Sequence, residues 1–168
     1  MNLLTISGSA REESSNSKLL LHLSNLSTNF DFHFSTLPNE LPLFLSHLDT
    51  SPLPKTVTQW RNQVSSADGV IICIPEYIHN MPALIKNALE WITSSGELVG
   101  KKVLAITFTP HAPRGEKAMQ SLIWSLQALD ANVIASLPLY QSEISYASSD
   151  VLEGEGEEVL KEALSLFL

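Results

Sequence analysis

Residues Gly69-Val70-Ile71-Ile72-Cys73-Ile74 form an unbroken apolar run. The run is short for a helix and has no polar side to turn toward water. It is a strand covered on both faces, the position of a central strand in a parallel sheet. Parallel neighbours cannot be joined by tight hairpins, so the rest of the chain must supply crossover segments, usually helices.

It does. Leu3 to Ser7 is a short apolar strand ending at Gly8. Leu19, Leu20, Leu23 and Leu26 fall at helical spacing within Ser15 to Leu26. Phe30, Phe32 and Phe34 alternate with polar residues, which suits a strand exposed on one face or near a sheet edge. The segment Leu37 to Pro54 holds Pro38, Pro42, Pro52 and Pro54 and predicts a long loop, a kind that is often functional. Helices are predicted at Lys55 to Ala67, Pro82 to Thr93 and Arg114 to Leu129, and a last one ends near Leu166. Pro82 stands near its first turn, where the missing N–H costs little. Strands are predicted at Val103 to Thr107 and Asn132 to Ala135. The acidic run Glu153-Gly154-Glu155-Gly156-Glu157-Glu158 reads as a solvated helix start favoured by the dipole. The alternation predicts an α/β fold, a parallel sheet with helices on both faces. With no linker or repeat in its 168 residues, the chain is expected to form a single domain, 1–168.

The formal net charge is −8. Nucleic acid and anionic membrane both need a basic footprint, so neither is expected as a main partner. A local basic site for an anion is compatible with that balance. Cys73 is the single cysteine, which excludes an internal disulfide and fits a reducing cytosol. No apolar run reaches transmembrane length. The segment Met1 to Ile6 lacks the basic region and cleavage site of a signal peptide, so a cytoplasmic location is expected.

In open α/β sheets, ligands sit at the carboxyl ends of the strands where the strand order reverses. The first such end is Ile6-Ser7-Gly8-Ser9-Ala10-Arg11. It lacks G-x-G-x-x-G and G-K-[ST], so neither a dinucleotide nor a triphosphate loop is present. It offers Ser9, Ser14, Ser15, Asn16 and Ser17 at a helix start, with Arg11 beside them. Free N–H groups and a guanidinium suit a single phosphate monoester. An ordinary serine-rich cap with a surface arginine has the same residues, and Glu12 and Glu13 oppose an anion unless they point away. After the apolar run, Pro75-Glu76-Tyr77 can present amides and a stacking ring to a planar heterocycle. Phosphate at one loop and ring at the next describe a mononucleotide such as FMN.

Two motifs carry a resemblance. Gly8-Ser9-Ala10-Arg11-Glu12-Glu13-Ser14-Ser15-Asn16 matches G-S-x-R-x-x-S-x-N at every fixed position. Pro75, Glu76, Tyr77, Pro82, Lys86, Asn87, Ala88, Glu90 and Trp91 match P-E-Y-N-x-S-x-P-G-x-L-K-N-A-x-[DE]-W. The chain resembles the NAD(P)H-dependent FMN reductases of flavodoxin-like fold, with their chromate, quinone and azo reductase relatives. The resemblance implies a three-layer sandwich around a five-stranded parallel sheet of order 2-1-3-4-5. It implies that Ser9, Arg11, Ser14, Asn16 and Ser17 hold the FMN phosphate and that Pro75 to Ile78 line the isoalloxazine. Thr107 and Thr109 keep the hydroxyls of the family's third loop. The chain departs from the pattern at Ile78, Asn80 and Ala83, where the family has Asn, Ser and Gly. It departs again at His111-Ala112-Pro113, which replaces a glycine-rich stretch beside the nicotinamide's place.

The resemblance implies an enzyme that passes hydride from NAD(P)H to FMN and on to quinones, flavins or similar acceptors by a ping-pong mechanism. It also implies a homodimer or homotetramer. The chemistry belongs to the cofactor, so no protein group is assigned a catalytic role. His79 and His111 lack metal-ligand spacing and read as loop histidines, and Cys73 reads as a buried small hydrophobe. Leu84, Leu89, Trp91, Trp124 and Leu126 belong to the core or to a subunit contact. The altered third loop motivates an alternative, a flavin-binding electron-transfer or sensing protein with poor NAD(P)H turnover. Ile78 with Glu12 and Glu13 motivates another, a flavin-free scaffold.

Overall fold

A computed structural model describes residues 1–11, 13–147, 151–153 and 155–168. Glu12 and Gly154, in the two acidic stretches noted above, lie outside the described residues. The chain runs β1 (Asn2–Ser7), α1 (Ser15–Ser24), β2 (Asp31–Ser35), α2 (Lys55–Ser66), β3 (Gly69–Ile74) and α3 (Ala83–Glu90). It continues through β4 (Lys102–Thr109), α4 (Glu116–Ala128), β5 (Asn132–Tyr140), β6 (Ser145–Ala147), β7 (Val151–Glu153) and α5 (Glu155–Ser165). Strands β1 to β5 form one parallel sheet of order β2-β1-β3-β4-β5. The order reverses between β1 and β3, which makes their carboxyl ends the switch point.

The apolar run is β3, buried along its whole length. Its side chains alternate between two cores. Val70, Ile72 and Ile74 face α2, α3 and α4 through Val57, Trp60, Ile85 and Leu122. Ile71 and Cys73 face α1 and α5 through Leu19, Leu23, Leu160 and Phe167. Helices thus cover both faces in three layers. Each fully buried leucine or isoleucine contributes about 1.5–3 kcal/mol, and two such cores outweigh the modest helical propensity of the individual segments.

Several boundaries move. α3 ends at Glu90 rather than Thr93, because Ile92 and Thr93 donate to the carbonyls of Leu89 and Glu90 in tighter turns. β5 continues past Ala135 to Tyr140 despite Pro138. It is an edge strand, paired on one side only, where a proline is tolerated. The antiparallel pair β6–β7 was not expected from the sequence. Of the apolar candidates for a subunit contact, Leu89, Trp91 and Leu126 are core residues, while Trp124 is 65% exposed.

The long loop is fastened to α3. Asn87 Oδ1 accepts the Phe44 N–H at 2.7 Å, and Asn87 Nδ2 donates to the Pro42 carbonyl at 3.0 Å. Trp91 Nε1 donates to the same carbonyl at 2.7 Å. Arg61 binds Asp49 at 2.6 Å, and Ser94 donates to the other Asp49 oxygen at 2.6 Å. Among the described residues no helix is long and apolar enough to cross a membrane.

Candidate functional site

Two loops meet at the switch point because Gly8 has no side chain. Its N–H donates to the Cys73 carbonyl at 2.7 Å. A Cβ there would lie 2.6 Å from the Ile74 Cγ2 and 3.1 Å from its Cα. Any other residue would push the loop after β1 away from the loop after β3.

Beyond Gly8 the chain enters α1. Ser14 is the N-cap, its hydroxyl accepting the Ser17 N–H at 3.0 Å. The N–H groups of Ser15 and Asn16 have no partner among the described residues, and they stand at the positive end of the helix. Ser9 Oγ accepts the Arg11 N–H at 3.3 Å. The Arg11 guanidinium makes no ion pair among the described residues.

These groups line a cavity of about 190 Å³ together with Pro75, Glu76 and Tyr77 from the second loop. Thr109 enters from the third loop, its hydroxyl donating to the Arg114 carbonyl at 2.5 Å. The structure therefore brings Ser9, Arg11, Ser14, Ser15, Asn16, Pro75, Glu76, Tyr77 and Thr109 to one place. The other three expected residues lie elsewhere. Ser17 faces a separate cleft toward β2, its hydroxyl bonded to Ser7 and Ser14 at 3.0 and 2.9 Å. Thr107 is fully buried beneath Gly115, with no hydrogen-bond partner for its hydroxyl among the described residues. Ile78 stands over a neighbouring cavity.

Two residues in the cavity wall have structural ties. Glu76 is buried, and its Oε2 accepts the N–H groups of Gly115 and Ala118 at 3.0 and 3.2 Å. It caps α4, where the helix dipole favours a carboxylate, and His79 Nδ1 lies 3.3 Å from its other oxygen. Asn16, also buried, accepts the Cys73 thiol at 3.2 Å and donates to the Phe108 carbonyl at 3.5 Å. Burial pushes the Cys73 thiol strongly upward, so it stays protonated and unreactive.

The second loop ends in a tight turn. Tyr77 and Asn80 exchange both backbone hydrogen bonds, at 3.1 and 3.0 Å. Ile78 and His79 between them have φ of +50° and +54°. Two left-handed residues are what a two-residue hairpin turn demands. Asn80 secures the turn through its Oδ1, which accepts the Met81 N–H at 2.8 Å and the Ser121 hydroxyl at 2.5 Å.

Phe108, Pro110, Arg114 and Gln141 also line the first cavity. The two motifs contain none of them. Gln141 arrives from the end of β5 and donates to the Ser15 hydroxyl at 3.0 Å, a meeting across the sheet that no local pattern signals. Arg114 carried a signal, since it stands at a helix start after a strand. Among the described residues no cluster of His, Cys, Asp and Glu could hold a metal ion.

The NADPH-dependent FMN reductase family matches residues 1–142. The NADH:(hydroxy)cinnamate reductase subunit CrdA of Vibrio ruber is 30% identical, over 96% of this chain and 79% of its own. A quinone reductase of Escherichia coli is 30% identical, over 80% of this chain and 73% of its own. Among solved structures, the flavoenzyme NAD(P)H:(acceptor) oxidoreductase FerB of Paracoccus denitrificans superposes with a TM-score of 0.80. That likeness covers 99% of this chain and 94% of the other at 23% identity, and it bears on the fold. The switch-point cavity joins the family's two motif loops, and the family spans most of the sequence. The chain belongs to the NADPH-dependent FMN reductases, as an NAD(P)H-dependent oxidoreductase that uses FMN.

Proposed function

We propose that the enzyme takes hydride from NAD(P)H and delivers it to a quinone, a flavin or a similar small acceptor by a ping-pong route, with FMN seated in the switch-point cavity. The single observation that carries this is the meeting around one cavity of Arg11 and the first α1 amides, without partners among the described residues, with Pro75 to Tyr77. Arg11, Ser9 and the helix start would hold the phosphate. The backbone of the second loop and the Tyr77 ring would flank the isoalloxazine, with Thr109 closing the third side. Ser14 and Asn16 keep this cradle in shape, Ser14 as a cap and Asn16 by tying α1 to β3 and β4. Ser17 and Thr107 support it from behind. When bound, FMN supplies the hydride chemistry.

The same reading places the enzyme in the cytoplasm, where NAD(P)H is supplied, as a homodimer or homotetramer. Exposed Trp124 on α4 is a starting point for the subunit contact.

The purified protein should bind FMN, turn yellow, and be bleached by NADPH or NADH under anaerobic conditions. A protein that binds neither FMN, FAD nor riboflavin would remove the proposal. Colour without rapid bleaching would leave flavin binding standing and favour electron transfer or sensing.

A further inference from the structure

A separate cleft of about 180 Å³ lies on the β2 side of the first loop, between α1 and the edge strand β2. It shares Ser9 with the flavin cavity. The two spaces therefore meet at a residue placed beside the phosphate.

Ser7, Ser9 and Ser17 form the wall on the loop side. Their hydroxyls are already engaged: Ser17 donates to Ser7 at 3.0 Å, and Ser9 accepts the Arg11 N–H at 3.3 Å. They shape the cleft. The groups with capacity to spare lie opposite. Phe34, at the end of β2, is 47% exposed, and its ring packs against no other aromatic ring among the described residues. Leu20 and Pro38 add apolar surface. The side chains of Thr36 and Asn39 make no hydrogen bond among the described residues.

No charged side chain lines this cleft among the described residues. An ion there would lose hydration without a partner. Apolar walls, an uncovered aromatic ring and two polar side chains suit a flat, uncharged heterocycle. Position adds a second constraint, since an occupant that reaches past Ser9 continues from the flavin's phosphate. FMN ends at that phosphate. A nucleoside joined to it through a second phosphate meets both conditions, and with adenosine that molecule is FAD.

We propose that the chain holds FAD as well as FMN, with the adenosine of FAD in this second cleft. Phe34 flanks the adenine, and Thr36 and Asn39 meet the polar edges of the base and ribose. The two phosphates stay with Ser9, Arg11 and the start of α1. The inference rests on the flavin reading, because the tether is the flavin's own phosphate. NAD(P)H also carries an adenosine, so the test separates the two carriers.

Protein-fluorescence titration of the flavin-free chain would compare FAD with FMN. The wild type should bind FAD at least as tightly as FMN. Phe34→Ala should weaken FAD about tenfold and leave FMN unmoved, as the loss of a base-stacking ring does. Phe34 also lines a cavity toward α2, whereas Asn39 lines only this cleft of the two. Asn39→Ala should weaken FAD about threefold, again with FMN unmoved. Unchanged FMN binding would establish that each variant is folded. A wild type that binds FMN but binds FAD tenfold or more weakly overturns the proposal and leaves the flavin reading intact. Variants that leave FAD unmoved, or weaken both flavins equally, overturn it as well. So does a rise in the KM for NADH with FAD binding unmoved, because the cleft would then serve the dinucleotide. A wild type that binds no flavin takes both readings away.

Discussion

Single residues set the two ends of the proposed flavin site. Arg11 has no other partner among the described residues, so its removal should cost only what the phosphate contributes. Arg11→Ala is expected to weaken FMN by about tenfold or more while leaving riboflavin nearly unchanged, since a charge-assisted phosphate contact is worth about 1.5–3 kcal/mol. Equal loss for both ligands, by fluorescence titration, would show the first loop misassigned. Ile78 poses the opposite case. It stands in a left-handed conformation fully exposed, where asparagine is tolerated and a β-branched residue is strained by about 1–2 kcal/mol. Ile78→Asn should therefore raise the melting temperature of the flavin-free protein, as urea or thermal unfolding would record. The departure at Ile78 was plain in the sequence. Its backbone conformation was not, because φ there is imposed by the closing hydrogen bonds between Tyr77 and Asn80.

At the scale of elements, the site depends on what holds its loops. Glu76 looked like a ligand contact from its place in the motif. It does line the cavity, and its carboxylate also accepts two hydrogen bonds through Oε2 from the start of α4. Glu76→Ala would leave the Gly115 and Ala118 N–H groups buried without an acceptor, at about 1–3 kcal/mol. Thermal unfolding should detect that loss even without flavin. Asn87 plays the same part for the long loop, bonding Phe44 and Pro42 at once. Asn87→Ala should speed limited proteolysis between residues 37 and 54 while β1 to β4 remain protected. The loop's length and prolines were legible in the sequence. Its attachment was not, because acceptor and donor lie 43 positions apart.

For the molecule as a whole, acid sensitivity has an identifiable source. Asp49 is held below its ordinary value of 3.8, first by the Ser94 hydroxyl and then by Arg61, against the opposing effect of burial. A lowered carboxylate stabilises the folded state fully above that ordinary value, and its contribution fades as pH falls through the lower folded value. Between pH 5 and 2 the stability of Asp49→Asn should fall less steeply than that of the wild type, as denaturant titrations at each pH would show. The strand and helix alternation and the parallel sheet were readable from the chain alone, because hydrophobic periodicity is local. So were the two motif loops, each a run of neighbours. Tertiary structure decided the rest. It chose which three of twelve expected site residues stand apart from the cavity, and where Phe108 and Gln141 join the wall. Those outcomes depend on the packing of strands and helices distant in sequence, and a local pattern carries no record of which distant side chains will meet.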